Sequence, residues 1–296
     1  METTESLQRR IATAEELHSV VGAMKVLSSV SIRQHERAAA SLGHYVHAIE
    51  LGFRVLLHEG AGRLPGSRVP EDRPIGIVIL GTDHGLCGPF NREIADHALA
   101  WLRQAPVRDP RPRIVCAGVR VASELDARGL AFDVVGRMPG SVEGVVGRVH
   151  DVLIEMEAWR AQGGVERVML FHNRPTEERR YRPAANQLIP LDVERLRRLA
   201  RHRWPTRMLP MFTLDAASLA AALTREYTFA LLYRAFVESL ASEHAARLAA
   251  MQGAERTIEE RLVQLGLRFH QVRQAAITEE LLDVTAGFEA LGDTAM

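Results

Sequence analysis

Residues 255–284 read ERTIEERLVQLGLRFHQVRQAAITEELLDV, and their apolar side chains recur at steps of three and four. This spacing places them on one face of an α-helix and is typical of a coiled coil. Two registers, offset by one residue, meet near Ala276 and Ile277. One register can pair with another helix of this chain. The second then faces a different partner or forms a loosely packed helix end at the protein's own surface. The first consists of Ile258, Leu262, Leu265, Phe269, Val272 and Ala276, and the second of Ile277, Leu281, Val284, Phe288 and Leu291.

The prolines divide the chain into three parts. All 13 lie between Pro65 and Pro210, which leaves both ends free of proline. Because a proline inside a helix costs about 3 kcal/mol, this distribution predicts two long helices around a globular insert. We expect a coiled-coil helix in residues 1–62, a central α/β domain in 71–210 and a second coiled-coil helix in 215–292. At about 1.5 Å per residue, the last helix is about 110 Å long, which is wider than a compact domain of this size.

The first helix carries an apolar stripe that can meet the first register. The stripe consists of Leu7, Ile11, Ala14, Leu17, Val21, Met24, Leu27 and Val30. The predicted core of the coiled coil therefore contains Leu7, Ile11 and Val21 from the first helix, and Ile258, Leu262, Leu265, Phe269 and Val272 from the last.

The middle of the chain alternates between strand and helix patterns. Such alternation predicts a mostly parallel sheet with helices on its faces. The expected strands are 75–80, 113–117, 131–135 and 165–172, and the expected helices lie at about 92–104, 119–129 and 142–162.

Composition excludes several classes of protein. Lys+Arg and Asp+Glu both number 37, so the chain lacks the basic excess of a nucleic-acid-binding protein. Two cysteines cannot form a disulfide framework, which favours a reducing compartment. The acidic first residues predict no signal peptide, and no apolar run approaches the ~20 residues of a membrane span. We therefore expect contact with a membrane only through a partner.

Candidate chemistry is sparse. The loop Gly81–Gly88 follows a buried strand, as phosphate loops do, but it matches neither G-x-G-x-x-G nor a P-loop, and a plain strand-to-helix turn is favoured. Cys87 and Cys116 are expected to be buried small hydrophobes. A solvated face is expected both for the pair His44 and His47 and for the basic stretch Arg195, Arg197, Arg198, Arg201 and Arg203. We predict no catalytic residue, no metal site and no cofactor.

Five segments resemble the gamma subunit of F-type ATP synthases. Ser242–Met251 and Arg273–Val284 carry the resemblance, and within the latter the run Arg-Gln-Ala-Ala-Ile-Thr-x-Glu is highly specific. Ala23-Met24-Lys25 sits at the matching depth of the first helix. Asp83–Asn91 resembles the family's Asp-Arg-Gly-Leu-Cys-Gly stretch, and His172-Asn173-Arg174 falls where the family usually reads Tyr-Asn-Lys. The match spans nearly the whole chain, in order.

The resemblance implies an α/β fold in which the terminal helices form a long antiparallel coiled coil around an inserted Rossmann-like parallel-sheet domain. It implies a rotor shaft inside a ring of three alpha and three beta subunits, with the central domain against the epsilon subunit and the c ring. Such subunits transmit torque and bind no nucleotide. The complex would lie on the cytoplasmic face of the bacterial inner membrane, and this chain would reach the membrane only through the c ring.

The resemblance also implies which residues touch the stator. Arg273, Gln274 and Thr278 would make polar contacts to an acidic loop of beta, and Met24 and Lys25 would lie close to the same level on the neighbouring helix. Hydrogen bonds and ion pairs of about 1–3 kcal/mol suit contacts that hold in one rotary state and release in the next.

The chain also departs from the family pattern. Bases around Ala-Met-Lys are thinned to Lys25 and Arg33, Gly22 replaces what is often a lysine, and Phe288 stands where alanine is usual. We therefore expect a divergent gamma subunit of an alternate F-type complex, without the thiol switch of chloroplast forms. Two other hypotheses remain open at this point: a free-standing coiled-coil adaptor, and an α/β enzyme built on the glycine loop.

Overall fold

The computed structural model describes residues 3–58, 73–105, 112–201, 204, 208 and 210–293, with the backbone alone for residues 163 and 286–293. The last residues of the predicted first helix, 59–62, lie outside these residues. The helices are α1 (Thr4–His58), α2 (Phe90–Gln104), α3 (Val119–Asp126), α4 (Val145–Gly163), α5 (Val193–Ala200) and α6 (Ala216–Asp293). The strands are β1 (Ile75–Leu80), β2 (Arg113–Ala117), β3 (Val134–Gly136), β4 (Arg167–Arg174) and β5 (Arg182–Ile189).

The chain forms two compact units. The helix-pair unit comprises the residues up to Leu27 and those from Leu248 onward. The sheet unit runs from Ser28 to Arg247. Both long helices contribute to both units, so these units do not follow the three predicted segments, whose division stays a prediction.

Within the sheet unit, five strands form one sheet in the order β3-β2-β1-β4-β5. The first four strands of this order are parallel, whereas β5 pairs with β4 in the antiparallel sense. The predicted parallel core is confirmed, but β5 was not predicted. Its sequence contains Pro183, and a proline inside a run of this kind argues against a strand unless that strand lies at an edge, as β5 does. Helix α5 was also missed.

Helices cover both faces of the sheet. On β1, Ile75, Ile77 and Ile79 pack against α2 and α3, while the alternate residues Val78 and Leu80 pack with α4 and α6. A parallel strand buried on both faces reads as a continuous apolar run, which is why β1 was visible in the sequence.

The pairing of α1 with α6 is antiparallel. In the helix-pair unit, His18 lies against Glu259 and Lys25 against Glu255, so residue numbers rise on one helix as they fall on the other. In the sheet unit, Tyr45 Oη donates a hydrogen bond of 2.5 Å to Glu226 Oε2. These contacts agree with the fold class derived from the sequence, which is confirmed.

The predicted coiled-coil residues of the helix-pair unit lie out of solvent to different degrees. Leu7, Val21 and Leu265 are buried. The others are half-buried, namely Ile11, Ile258, Leu262, Phe269 and Val272. That these eight residues form the core of a functional rotor stays a prediction.

Part of the predicted stripe on α1 is wrong. Leu17, Leu27 and Val30 are 52%, 67% and 52% exposed. The predicted steps average about 3.3 residues, and a stripe with that spacing drifts around a helix that repeats every 3.6 residues. The less exposed positions are instead His18 and Ser28, each one residue further along the chain than Leu17 and Leu27.

The second apolar register of α6 faces solvent. Ile277, Leu281 and Val284 are 47%, 62% and 56% exposed, whereas the first register is at least half-buried throughout. The side chains of Phe288 and Leu291 lie outside the described residues. No helix among the described residues combines the length and apolarity required to cross a bilayer.

Candidate functional site

In the glycine loop after β1, the polar groups of Thr82 are already hydrogen-bonded within the protein. Thr82 N donates to Asn91 Oδ1 over 3.0 Å, and Asn91 Nδ2 donates back to Thr82 Oγ1 over 2.8 Å. The Thr82 hydroxyl in turn donates to the His84 carbonyl over 2.7 Å. Thr82 and Asn91 are buried. A phosphate loop needs backbone N–H groups free to point at a ligand, and here Thr82 N is already bonded.

Asp83 ties the loop to its neighbours in the sheet unit. Its Oδ1 accepts from Val119 N at 3.0 Å and its Oδ2 from Met138 N at 3.1 Å. Val119 begins α3, so the carboxylate occupies the helix N-terminus where an anionic ligand would otherwise bind.

Gly118 makes this close approach possible. It adopts φ +115°, and a Cβ there would lie 2.6 Å from Thr82 N. Only glycine fits such a position without displacing backbone. These contacts favour the structural turn over the glycine-loop enzyme.

The far side of the loop contacts Arg247 of α6, which is also held in an ion pair within that helix. Arg247 Nη2 lies 2.5 Å from Glu243 Oε1 and 3.4 Å from the Gly85 carbonyl. The two side chains are only 13% and 8% exposed. Burial raises the pKa of Glu243, and the Arg247 guanidinium partly offsets that rise. The Arg247 guanidinium thus joins the loop, at the Gly85 carbonyl, to the helix that carries the resemblance.

Apolar and aromatic contacts complete this junction. Ala246 packs with Cys87 and Phe90, and the ring of Phe90 lies 5.0 Å from that of Tyr181. Asn173 Nδ2 donates to the Phe90 carbonyl over 3.2 Å. Parts of three segments recognised separately in the sequence, 83–91, 172–174 and 242–251, therefore meet at one place. Sequence reasoning missed the pairing of Glu243 with Arg247, although their spacing of four on a helix is a visible signal.

Both cysteines are buried in the sheet unit. Burial raises the pKa of the Cys87 thiol, and it raises the pKa of Cys116 to about 12. Because the thiolate is the reactive form, both thiols are poor nucleophiles. Their predicted role as small buried hydrophobes agrees with this chemistry.

The other groups considered in the sequence lie at the surface. His44 and His47 are exposed on α1. In the basic stretch, Arg195 pairs with Glu50 at 3.2 Å and Arg197 with Glu194 at 2.7 Å. Arg203 lies outside the described residues.

The residues predicted to touch a stator differ in exposure. Arg273, Gln274 and Thr278 are exposed on α6, and the Thr278 hydroxyl donates to the Gln274 carbonyl over 2.9 Å. Met24 and Lys25 are half-buried on α1.

The expectation that Met24 and Lys25 share a level with Arg273 is wrong. Lys25 Nζ donates to Glu255 Oε2. Because α1 and α6 run antiparallel, Lys25 lies opposite Glu255, and Arg273 lies about 27 Å further along α6 at about 1.5 Å per residue. The helix register, which the sequence patterns do not specify, causes the difference.

Two long antiparallel terminal helices with an inserted α/β sheet define a stalk-type subunit, and comparisons with known proteins agree. The family model described as ATP synthase matches residues 3–291. The chain therefore belongs to the ATP synthase gamma-chain family. It is 25% identical over 296 residues to the ATP synthase gamma chain of Ralstonia nicotianae (strain ATCC BAA-1114 / GMI1000), covering 98% of this chain and 100% of that relative.

Solved structures share the fold at lower identity. The rotor of the Euglena gracilis mitochondrial ATP synthase in rotational state 1 matches with a TM-score of 0.63 and 13% identity, covering 93% of this chain and 98% of that one. The central stalk and c ring of the Tetrahymena thermophila mitochondrial ATP synthase gives a TM-score of 0.53 and 19% identity, covering 79% and 99%.

Proposed function

We propose that this chain is a non-catalytic rotor that couples turning of a c ring to the catalytic sites of beta subunits. The exposed second register of α6 supports this proposal. Ile277, Leu281 and Val284 project from a helix whose other register is already turned away from solvent. A contiguous exposed apolar face marks an interaction surface. A surrounding ring of subunits would cover it.

The proposed partners are three alpha and three beta subunits, an epsilon subunit and a c ring. Solved relatives of this fold are described as the rotor and as the central stalk with c ring of ATP synthases. The chain would reach the membrane only through the c ring, and the complex would lie on the cytoplasmic face of the bacterial inner membrane.

The proposed mechanism is mechanical. Rotation would present different faces of the helix pair to each beta subunit in turn, and each face would favour a different conformation of the catalytic site. Exposed Arg273, Gln274 and Thr278 would supply polar contacts to an acidic loop of beta. Met24 and Lys25 are further proposed contacts, and Lys25 reaches beta only by giving up Glu255.

The filled loop after β1 supports a non-catalytic role. The side chains of Thr82, Asp83 and Asn91 are hydrogen-bonded to one another or to neighbouring backbone. Rate acceleration by the complex would then come from beta alone. We further propose a divergent complex, because basic side chains are thinned around Lys25.

Co-expression tests the proposal. The tagged full-length chain, produced with alpha and beta subunits from the same genome, should co-purify with both and yield ATP hydrolysis. The chain by itself should hydrolyse no ATP. A stable homo-oligomer that does not bind alpha and beta would instead identify an adaptor.

The position of the gene tests the proposal of an alternate complex. A gene located in the only ATP synthase operon of its genome would contradict that proposal.

A further inference from the structure

Three potential metal ligands converge between the paired helices. His18 projects from α1 and Glu255 and Glu259 from α6, and one ligand atom from each lies within 4.8 Å of the others. All three residues belong to the helix-pair unit. In the part of the chain that the structure describes, this is the one group of three or more His, Cys, Asp or Glu side chains that meets so closely.

One of the ligand-to-ligand distances already suits a tetrahedral ion. Glu255 and Glu259 are four residues apart, so they share one face of α6. His18 Nε2 and Glu259 Oε1 are 3.4 Å apart. Two ligands bound to Zn²⁺ at about 2.1 Å in a tetrahedron are separated by about 3.4 Å. The observed spacing is therefore already that of one edge of a zinc site.

The three ligands are accessible enough for an ion to reach them from solvent. The side chains of His18 and Glu259 are 39% and 59% exposed, so an ion can enter from solvent and keep water as its fourth ligand. Glu255 is 22% exposed and is held in an ion pair with Lys25. The exposed contact between His18 and Glu259 contributes little stability as an ion pair. The feature that indicates a metal site is therefore the approach of a third ligand, Glu255, to the same point.

We propose that His18, Glu255 and Glu259 bind one divalent transition-metal ion of the Zn²⁺ class, which bridges α1 and α6. A nitrogen ligand with two carboxylates suits zinc and its neighbours in the first transition series. Mg²⁺ prefers six oxygen ligands and is disfavoured by this set. The proposal stands independently of the rotor function.

Lys25 sets the affinity of this site. Its ammonium group already pairs with Glu255, so the ion and the lysine compete for one carboxylate. Removing the positive charge while keeping the aliphatic stem should strengthen metal binding. Lys25→Met therefore acts in the opposite direction to loss of a ligand.

Zinc titration of the purified full-length chain at neutral pH tests the site, with a chromogenic zinc indicator as competitor. Loss of an outer-shell partner costs about 10- to 100-fold in metal affinity, so His18→Ala and Glu259→Gln should each weaken binding at least about tenfold. His270→Ala is the matched control, because His270 is an exposed histidine of the same unit. Lys25→Met should bind Zn²⁺ more tightly than the unaltered chain.

Thermal unfolding gives a second measurement. Zn²⁺ should raise the melting temperature of the unaltered chain and of His270→Ala, but not of His18→Ala, because an ion that binds only the folded state stabilises it. Equal zinc affinity in all variants would refute the site. Displacement of Zn²⁺ by an equal concentration of Mg²⁺ would also refute the site, because a plain acidic surface does not prefer Zn²⁺ to Mg²⁺. Far-UV circular dichroism confirms that each variant is helical.

Discussion

The imidazole rings of His35 and His244 stack with their centroids 5.4 Å apart at an angle of 30°. His35 comes from α1 and His244 from α6, both within the sheet unit. His35 Nδ1 donates to the Ser31 carbonyl over 2.6 Å. His35 Nε2 and His244 Nδ1 are buried and lack hydrogen-bond partners. A second proton on either ring would create a buried N–H donor with no acceptor, so the contact favours neutral rings.

This stack predicts a loss of stability in mild acid. Burial lowers the pKa of both rings, and that of His244 falls to about 4, with His35 and Arg247 contributing. Glu143 and the Ser31 hydrogen bond oppose the shift at His35. At these two rings the unfolded chain takes up protons near pH 6.5, whereas the folded chain takes them up only at lower pH. The contribution of these two rings to stability is thus complete above about pH 6.5 and declines as the pH falls towards 4.

Melting temperatures measured from pH 7 down to about pH 5 check this expectation. His244→Gln removes one titrating ring, so its melting temperature should fall less over that range than that of the unaltered chain. His270→Gln, at an exposed site, should follow the unaltered chain. If the His244→Gln and unaltered curves run parallel, the stacked rings do not govern the acid response.

Breaking the buried ion pair between Glu243 and Arg247 should cause a large loss of stability that a second substitution restores. Arg247→Met leaves a buried carboxylate without its cation, which typically costs about 3–5 kcal/mol in free energy of unfolding. Adding Glu243→Gln should recover much of it, because the buried charge is then gone. Denaturant unfolding of the full-length chain measures both values. Arg261→Met, at an exposed position of α6, should change stability by less than about 0.5 kcal/mol. A similarly small effect of Arg247→Met would contradict the prediction.

Two leucines of α6 form a matched pair for the helix contact. Leu265 is 5% exposed and Leu267 is 63% exposed. Leu265→Asp buries an unpaired charge and should destabilise the chain by more than about 3 kcal/mol, enough to prevent assembly. Leu267→Asp should leave the melting temperature of the isolated chain nearly unchanged.

Half-buried Leu262 should fall between them when changed to aspartate. Melting temperature and co-purification with alpha and beta report the order of the three variants. Equal behaviour of all three would refute the register of the helix pair.

Gln274 tests the proposed contact with beta. In the assembled complex, Gln274→Leu should lower the ATPase rate by about three- to tenfold, the equivalent of one lost hydrogen bond, and leave the subunit composition intact. Gln271→Leu serves as the control, because Gln271 is exposed on the same helix without a proposed contact. An unaltered rate for Gln274→Leu would deny that residue its role.

The limits of sequence reasoning are clear at β5 and on α1. A strand with Pro183 inside it does not look like a strand, and only its position at the sheet edge, where one side of the backbone needs no partner, allows it to be one. On α1, Leu17 looks like a core residue and His18 does not. Which of them turns towards α6 depends on the angle at which two helices meet, and that angle is a property of both helices together.

Local spacing and proline placement were enough to determine the two long helices, the parallel strands and the family resemblance, because each is written in residues close together along the chain. Only the tertiary structure decided which distant residues share a level. Lys25 meets Glu255, and His18 meets Glu259, across 230 and 241 positions of sequence. The physical reason is that a helix repeats every few residues, so its pattern specifies a face, whereas the axial register of two helices is set by the packing of all their side chains at once.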